Sequence, residues 1–219
     1  MFSPALRPSL ANDLTASLRE DILTGRRPPD EYLRLQNLSE EFQVSLSPIR
    51  ESLSILSSEG LVTQIGQRGY KVAPLLREHL IDATKARIAL ETLCLRQSIE
   101  AGDSEWEAQL VSSFWKLSRM EETDWGADGL QEWEKHHHGF HEALVAGCQS
   151  AMLIFFCAQA RRVTDRFRRI RVQRTAPDSK VGEEHARIFE LTIAKNTTAA
   201  TQALAAHIQR SSDHMLAGF

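Results

Sequence analysis

The sequence predicts a mainly α protein in two parts: a small helical unit carrying a β-hairpin, then a larger all-α antiparallel bundle. Three observations carry that prediction. Apolar residues recur at helical spacing through most of the 219 residues. Strand-like alternation is confined to Leu61–Ile65 and Tyr70–Ala73, on either side of Gly66-Gln67-Arg68-Gly69. Pro74 closes that stretch, and beyond it the sequence has no β-rich run, fixed-period repeat or low-complexity tract. The expected units are therefore 1–74 and 75–219.

In the first unit, Leu10, Leu14, Leu18 and Ile22 share one face of a helix over Ser9–Thr24, and Gly25 stops it. Pro28 and Pro29 make Arg26–Asn37 a loop. Residues 37–45 read as a short helix and a turn. The third helix is expected to start at Ser47 as N-cap with Pro48 at the first helical position, where its missing N–H costs nothing, and to end at Gly60. The second unit reads as about six amphipathic helices near 77–101, 104–121, 128–146, 150–173, 179–195 and 197–216. The breakers between them are Gly102, Gly126, Gly147 and Pro177.

Composition narrows the function classes. Hydrophobic residues make up 42% and charged residues 25%, ordinary for a globular protein. A net charge of −3 gives no global attraction to nucleic acid or membrane, so any such binding must be local. Cys94, Cys148 and Cys157 have no CxxC spacing and read as reduced core thiols. The longest apolar run, Ala151–Ala158, is too short to span a bilayer, and the first residues lack a secretory pattern. The expected location is the cytoplasm, with no membrane partner.

Two helices at a tight turn followed by a hairpin make a winged helix-turn-helix, whose second helix fits the major groove and reads base edges from its first turn. Ser45, Ser47, Pro48 and Arg50 occupy that turn here. Arg50 can bridge phosphate or guanine, the serines suit phosphate, and Arg68 at the wing tip suits phosphate or the minor groove. Against this, residues 1–74 hold eight Arg/Lys and nine Asp/Glu, so affinity must come from local placement and from dimerisation.

Leu38 to Val72 resembles the winged-helix domain of GntR-family transcriptional regulators. Leu38, Val44, Ser45, Pro48, Arg50, Glu51, Leu53, Leu56, Glu59, Gly60, Leu61, Val62, Arg68, Gly69 and Val72 all match its pattern. The resemblance adds Gly69 to the wing's DNA-contact candidates and implies double-stranded operator DNA as the partner, and because one recognition helix reads too few bases, a homodimer is expected on it. Two positions depart from the pattern. Leu46 stands where an arginine is usual, which removes a cation from the DNA face, and Ser52 stands where alanine is usual.

Four histidines fall within His136–His141. On a helix, His137 and His141 stand one turn apart and can chelate one ion, on a face shared with Leu144 and Val145. His185 and His207 lie on apolar faces of two later helices. Such imidazoles are either core side chains bonded to carbonyls or ligands of one shared ion. Arg87 lies on an apolar face of its helix, and either pairs with Glu91 at i+4 or projects toward a bound carboxylate. Arg161–Arg174 holds seven arginines, of which Arg162 or Arg166 could face a cavity.

The helical part is similar to the FCD effector domain of the FadR-type GntR subfamily. Arg87–Glu91, His138–His141, Glu184-His185 and His207-Ile208 fall on its motifs. The resemblance implies His141, His185 and His207 as metal ligands, with His137 in place of the family's aspartate. Losing that carboxylate makes the set neutral and softer, favouring Zn²⁺ or Ni²⁺ over Mn²⁺. The resemblance also implies that Arg87 binds a small carboxylate effector, and the arginine run offers Arg162 as a further candidate for it. A metabolite-responsive regulator is therefore the expected function. The rival is a metal-dependent hydrolase or lyase, for which no Glu or Asp stands out in the sequence as a general base beside the histidines.

Overall fold

The computed structural model describes residues 10–66, 69–123, 129–172 and 180–217. The chain divides into two compact units, Met1–Leu76 and Arg77–Phe219.

The first unit contains α1 (Leu10–Leu23), β1 (Tyr32–Leu33), α2 (Leu35–Phe42), α3 (Leu46–Ser58), β2 (Val62–Gln64) and β3 (Tyr70–Val72). The strands form one antiparallel sheet in the order β1-β3-β2, with Tyr32 opposite Lys71 and Val62 opposite Val72. The periodic leucines of α1 behave as their spacing requires. Leu14, Leu18 and Ile22 join Leu38, Ile49, Leu53, Leu56 and Val72 in one apolar core. Between α2 and α3 the backbone turns through Gln43, whose φ of 53° lies in the left-handed region. Two expectations are corrected. The loop expected through Asn37 contains β1 and the first turn of α2, because Leu33 is buried under the sheet while Leu35 already packs against the core. The N-cap of α3 is Ser45, with extended backbone at ψ 167°, rather than Ser47. Pro48 is then the third helical residue, still in the first turn, where no intrahelical N–H bond is lost.

Among the described residues the second unit has six helices: α4 (Arg77–Ala101), α5 (Ser104–Glu121), α6 (Leu130–Val145), α7 (Ala151–Val172), α8 (Val181–Ile193) and α9 (Thr197–Leu216). Asp103 caps α5 by accepting the Trp106 N–H at 2.9 Å, and Asn196 caps α9 through the Ala199 N–H at 3.2 Å. α4 packs along α7 and α9, α5 along α6 and α8, and α8 along α9. One core of leucines with Trp106, Phe140 and Ile188 runs between them. Polar side chains interrupt it where α4, α6, α7, α8 and α9 face inward together. Among the described residues no helix is long and apolar enough to cross a membrane.

Candidate metal centre and nucleic-acid interface

α6 places His137 and His141 one turn apart on its buried face, α8 contributes His185, and α9 contributes His207. Each offers a ring nitrogen, and the four nitrogens lie within 4.8 Å of one another. The rings are packed tightly, with centroids 4.6 Å apart for His137 and His141 and 4.7 Å for His185 and His207. His137 also stacks on Trp133 at 4.7 Å, which fixes the plane of the ring. The core-histidine alternative predicts that these rings satisfy each other or nearby carbonyls. Instead, His137 Nδ1, both ring nitrogens of His141, and His185 Nε2 are buried with no hydrogen-bond partner. Orphaned buried nitrogens are costly, and one ion held by a single nitrogen of each ring removes that cost for three of these four.

Carboxylates orient two of the rings from behind. His185 Nδ1 bonds Glu121 of α5 at 2.8 Å, and His207 Nδ1 bonds Glu184 of α8 at 2.8 Å. Glu121 also accepts from the Trp133 indole N–H, and Glu184 is clamped by Arg210. Each bond turns the opposite nitrogen, Nε2, toward the cluster, the arrangement that fixes tautomer and basicity in metal-ligating histidines. Burial holds His137 and His141 well below the ordinary imidazole pKa, and neighbouring cationic groups push the same way. Burial also lowers His207, to about 4, against the opposing pull of Glu184. His137, His141 and His207 are therefore neutral at pH 7, as ligand nitrogens must be. These carboxylates are what sequence reasoning missed. They stand beside the histidines but are committed to them, so they are not free bases.

Next to His141 lies a buried ionic group. Glu91 of α4 is wholly enclosed and accepts from Arg87 Nε at 2.7 Å, with Arg161 Nε of α7 at 3.5 Å. Burial would raise this carboxyl, but Arg161 and Arg87 overcome it and hold its pKa below the usual range. Arg87 also donates to the Thr164 hydroxyl at 2.9 Å, so it is both buried and paired with Glu91. The expectation for Arg162 is corrected, because it is exposed, whereas Arg161, one residue earlier on α7, is buried, as are Arg166, the other candidate, and Arg168. Arg161 Nη1 is buried without a partner. His136 pairs with Glu132, and His138 is held between Glu142 and Asp165, whose hydrogen bonds raise its pKa to about 9.

In the first unit, Ser45, Ser47 and Arg50 are exposed along the start of α3, and Pro48 is half-buried against the fold. A groove of about 590 Å³ runs from α3 toward the wing, lined by Arg34, Gln36, Leu46, Arg50, Gln64 and Gly69 among others. Gly69 takes φ +111°, a conformation that favours glycine, where the hairpin turns into β3. Arg34 and Gln36 enter this face only because α2 begins earlier than its sequence pattern suggests. Arg68 lies outside the described residues.

Two family models match the chain, that of bacterial regulatory proteins of the gntR family over residues 10–72 and that of the FCD domain over residues 82–210. The HTH-type transcriptional regulator BphR of Paraburkholderia xenovorans (strain LB400) is 35% identical over 196 residues, covering 89% of this chain and 80% of that protein. The HTH-type transcriptional repressor GlaR of Escherichia coli (strain K12) is 33% identical over 195 residues, 87% of this chain and 89% of that protein. Among solved structures, E. coli McbR/YncC superposes with a TM-score of 0.75 over 96% of this chain and 98% of that one. At 18% identity, that likeness speaks for the fold.

Proposed function

Because the chain belongs to the GntR family of bacterial transcriptional regulators and carries an FCD domain, we propose that it is a metal-dependent, metabolite-responsive repressor. In this reading a small carboxylate entering the helical unit changes operator affinity. Family and relatives are DNA-binding regulators, not enzymes. The observation that carries the finer reading is the convergence of four buried imidazoles, three of which carry orphaned nitrogens. His137, His141, His185 and His207 would hold a divalent ion, and an all-imidazole set suits Zn²⁺ or Ni²⁺. When bound, such an ion supplies a Lewis-acidic docking point for ligand oxygen.

The effector is a small carboxylate. The unpartnered Arg161 Nη1 beside Arg87 supports this reading, since two buried guanidinia share one carboxylate, Glu91. A ligand held between α4, α6 and α7 would favour one packing of the bundle over another, and only such a difference can move operator affinity. DNA contacts are assigned to Ser45, Ser47, Pro48, Arg50, Arg68 and Gly69. The repressor sense follows that of GlaR. A homodimer is supported by the apolar surface of α7, where Met152, Phe155 and Phe156 stay 62%, 53% and 47% exposed.

The test is calorimetry of hydroxy- and keto-acids on wild type, Arg87→Ala and metal-stripped protein, paired with operator titrations. A true effector shifts operator affinity by roughly 5–150-fold and binds more weakly to both altered forms. A ligand that shifts operator binding yet binds all three forms alike would place the effector elsewhere.

A further inference from the structure

Leu46 opens α3 and stays 39% exposed, although Ile49, three residues on, is fully buried. It lies outside the apolar cluster that Ile49, Leu53 and Leu56 anchor. Its chain neighbours are the exposed serines Ser45 and Ser47, and Arg50 stands one turn further along the same face. Leu46 and Arg50 both line the groove toward the wing, with Arg34, Gln36 and Gln64 around them. Leu35 and Tyr70 also line this groove, so a leucine stands among mostly polar groups, at the helix position that enters the major groove. Leu46 belongs to no apolar core cluster, so core packing does not call for a leucine there.

In the major groove every base edge offers polar atoms, and the apolar group among them is the 5-methyl of thymine. Leucine cannot take the bidentate bonds by which arginine reads guanine. We infer that Leu46 is a specificity-determining residue that seats against a thymine 5-methyl in each operator half-site. The inference rests on DNA binding by the winged unit and is independent of metal and effector.

The experiment selects binding sites from a randomised DNA duplex library with the full-length protein. The thymines of the selected half-site are then replaced one at a time by deoxyuridine, which lacks only the methyl. Wild type should bind one uracil-substituted duplex about fourfold more weakly per half-site, the factor equivalent to ~0.8 kcal/mol per buried carbon. Leu46→Ala should bind the thymine and uracil duplexes alike, and in a repeat selection Leu46→Arg should prefer guanine at that position. Because Leu46 is exposed, both variants should melt with wild type. The inference is overturned if no uracil substitution weakens wild type, or if Leu46→Ala keeps the thymine preference. A library from which wild type selects no sequence would instead overturn the DNA-binding premise.

Discussion

Ser52, where the family pattern has alanine, donates its buried hydroxyl to the Ala11 carbonyl at 3.1 Å and so ties α3 to α1. Thr15 also donates to that carbonyl, so Ser52→Ala removes one neutral bond without orphaning the acceptor. The variant should lose about 0.5–1.5 kcal/mol in denaturant unfolding of the N-terminal unit, and no change would mean that the bond contributes nothing net. Glu121 acts on the metal centre through His185, so Glu121→Ala should weaken metal binding roughly 10–100-fold in competition with a chromophoric chelator. Glu190→Ala, exposed on the same helix as His185, should leave the affinity unchanged. The histidines also set a pH dependence. An unfolded imidazole takes its proton near 6.5, while folded His207 stays neutral down to about 4. At this site the unfolded chain therefore binds more protons between those values, and the contribution of His207 to the stability of the metal-free protein is full above pH 6.5 and falls as pH is lowered toward 4. His137 and His141, depressed in the same direction, steepen the loss. Melting temperatures across that window check the sign.

At the scale of elements, the ion group joining α4 to α7 is where a single change does most damage. Glu91→Ala leaves Arg87 and Arg161 buried without their carboxylate and should cost about 3–5 kcal/mol, read as a lower denaturant midpoint. At the α4–α5 corner a Cβ on Gly102 would meet the Trp106 ring and the Ser98 carbonyl. Gly102→Ala should therefore cost roughly 1–3 kcal/mol by overpacking. The bounds of α4, α5 and α9 were legible in the sequence because long amphipathic runs end at explicit breakers and caps. β1 was not, since two residues become a strand only by pairing with β3, far along the chain. Ser45 and Ser47 are equally good caps by type, and the left-handed turn at Gln43 decides between them. The four histidines could be found from spacing and from the family motifs. Glu121, Glu184 and Glu91 could not be assigned to them, because contacts between helices leave no trace in local periodicity. Arg161 was missed for a related reason. The inward stripe of α7 carries Arg161, Thr164 and Arg168, so apolar periodicity does not mark which arginine faces in.

For the whole molecule, one recognition helix reads too few bases for useful specificity, so the chain should act as a homodimer on a short inverted repeat. Sedimentation should find a dimer, and Phe155→Glu should shift it toward monomer if the exposed face of α7 is the contact. Effector docking and switching both depend on the histidine cluster being a metal centre. Elemental analysis of the purified full-length protein, with melting before and after chelation, tests that claim most directly. The protein should carry about one Zn²⁺ or Ni²⁺ per chain, melt lower on stripping until either ion is restored, and lose both properties in His141→Ala. Protein that carries no metal, and that neither Zn²⁺ nor Ni²⁺ stabilises, would contradict it.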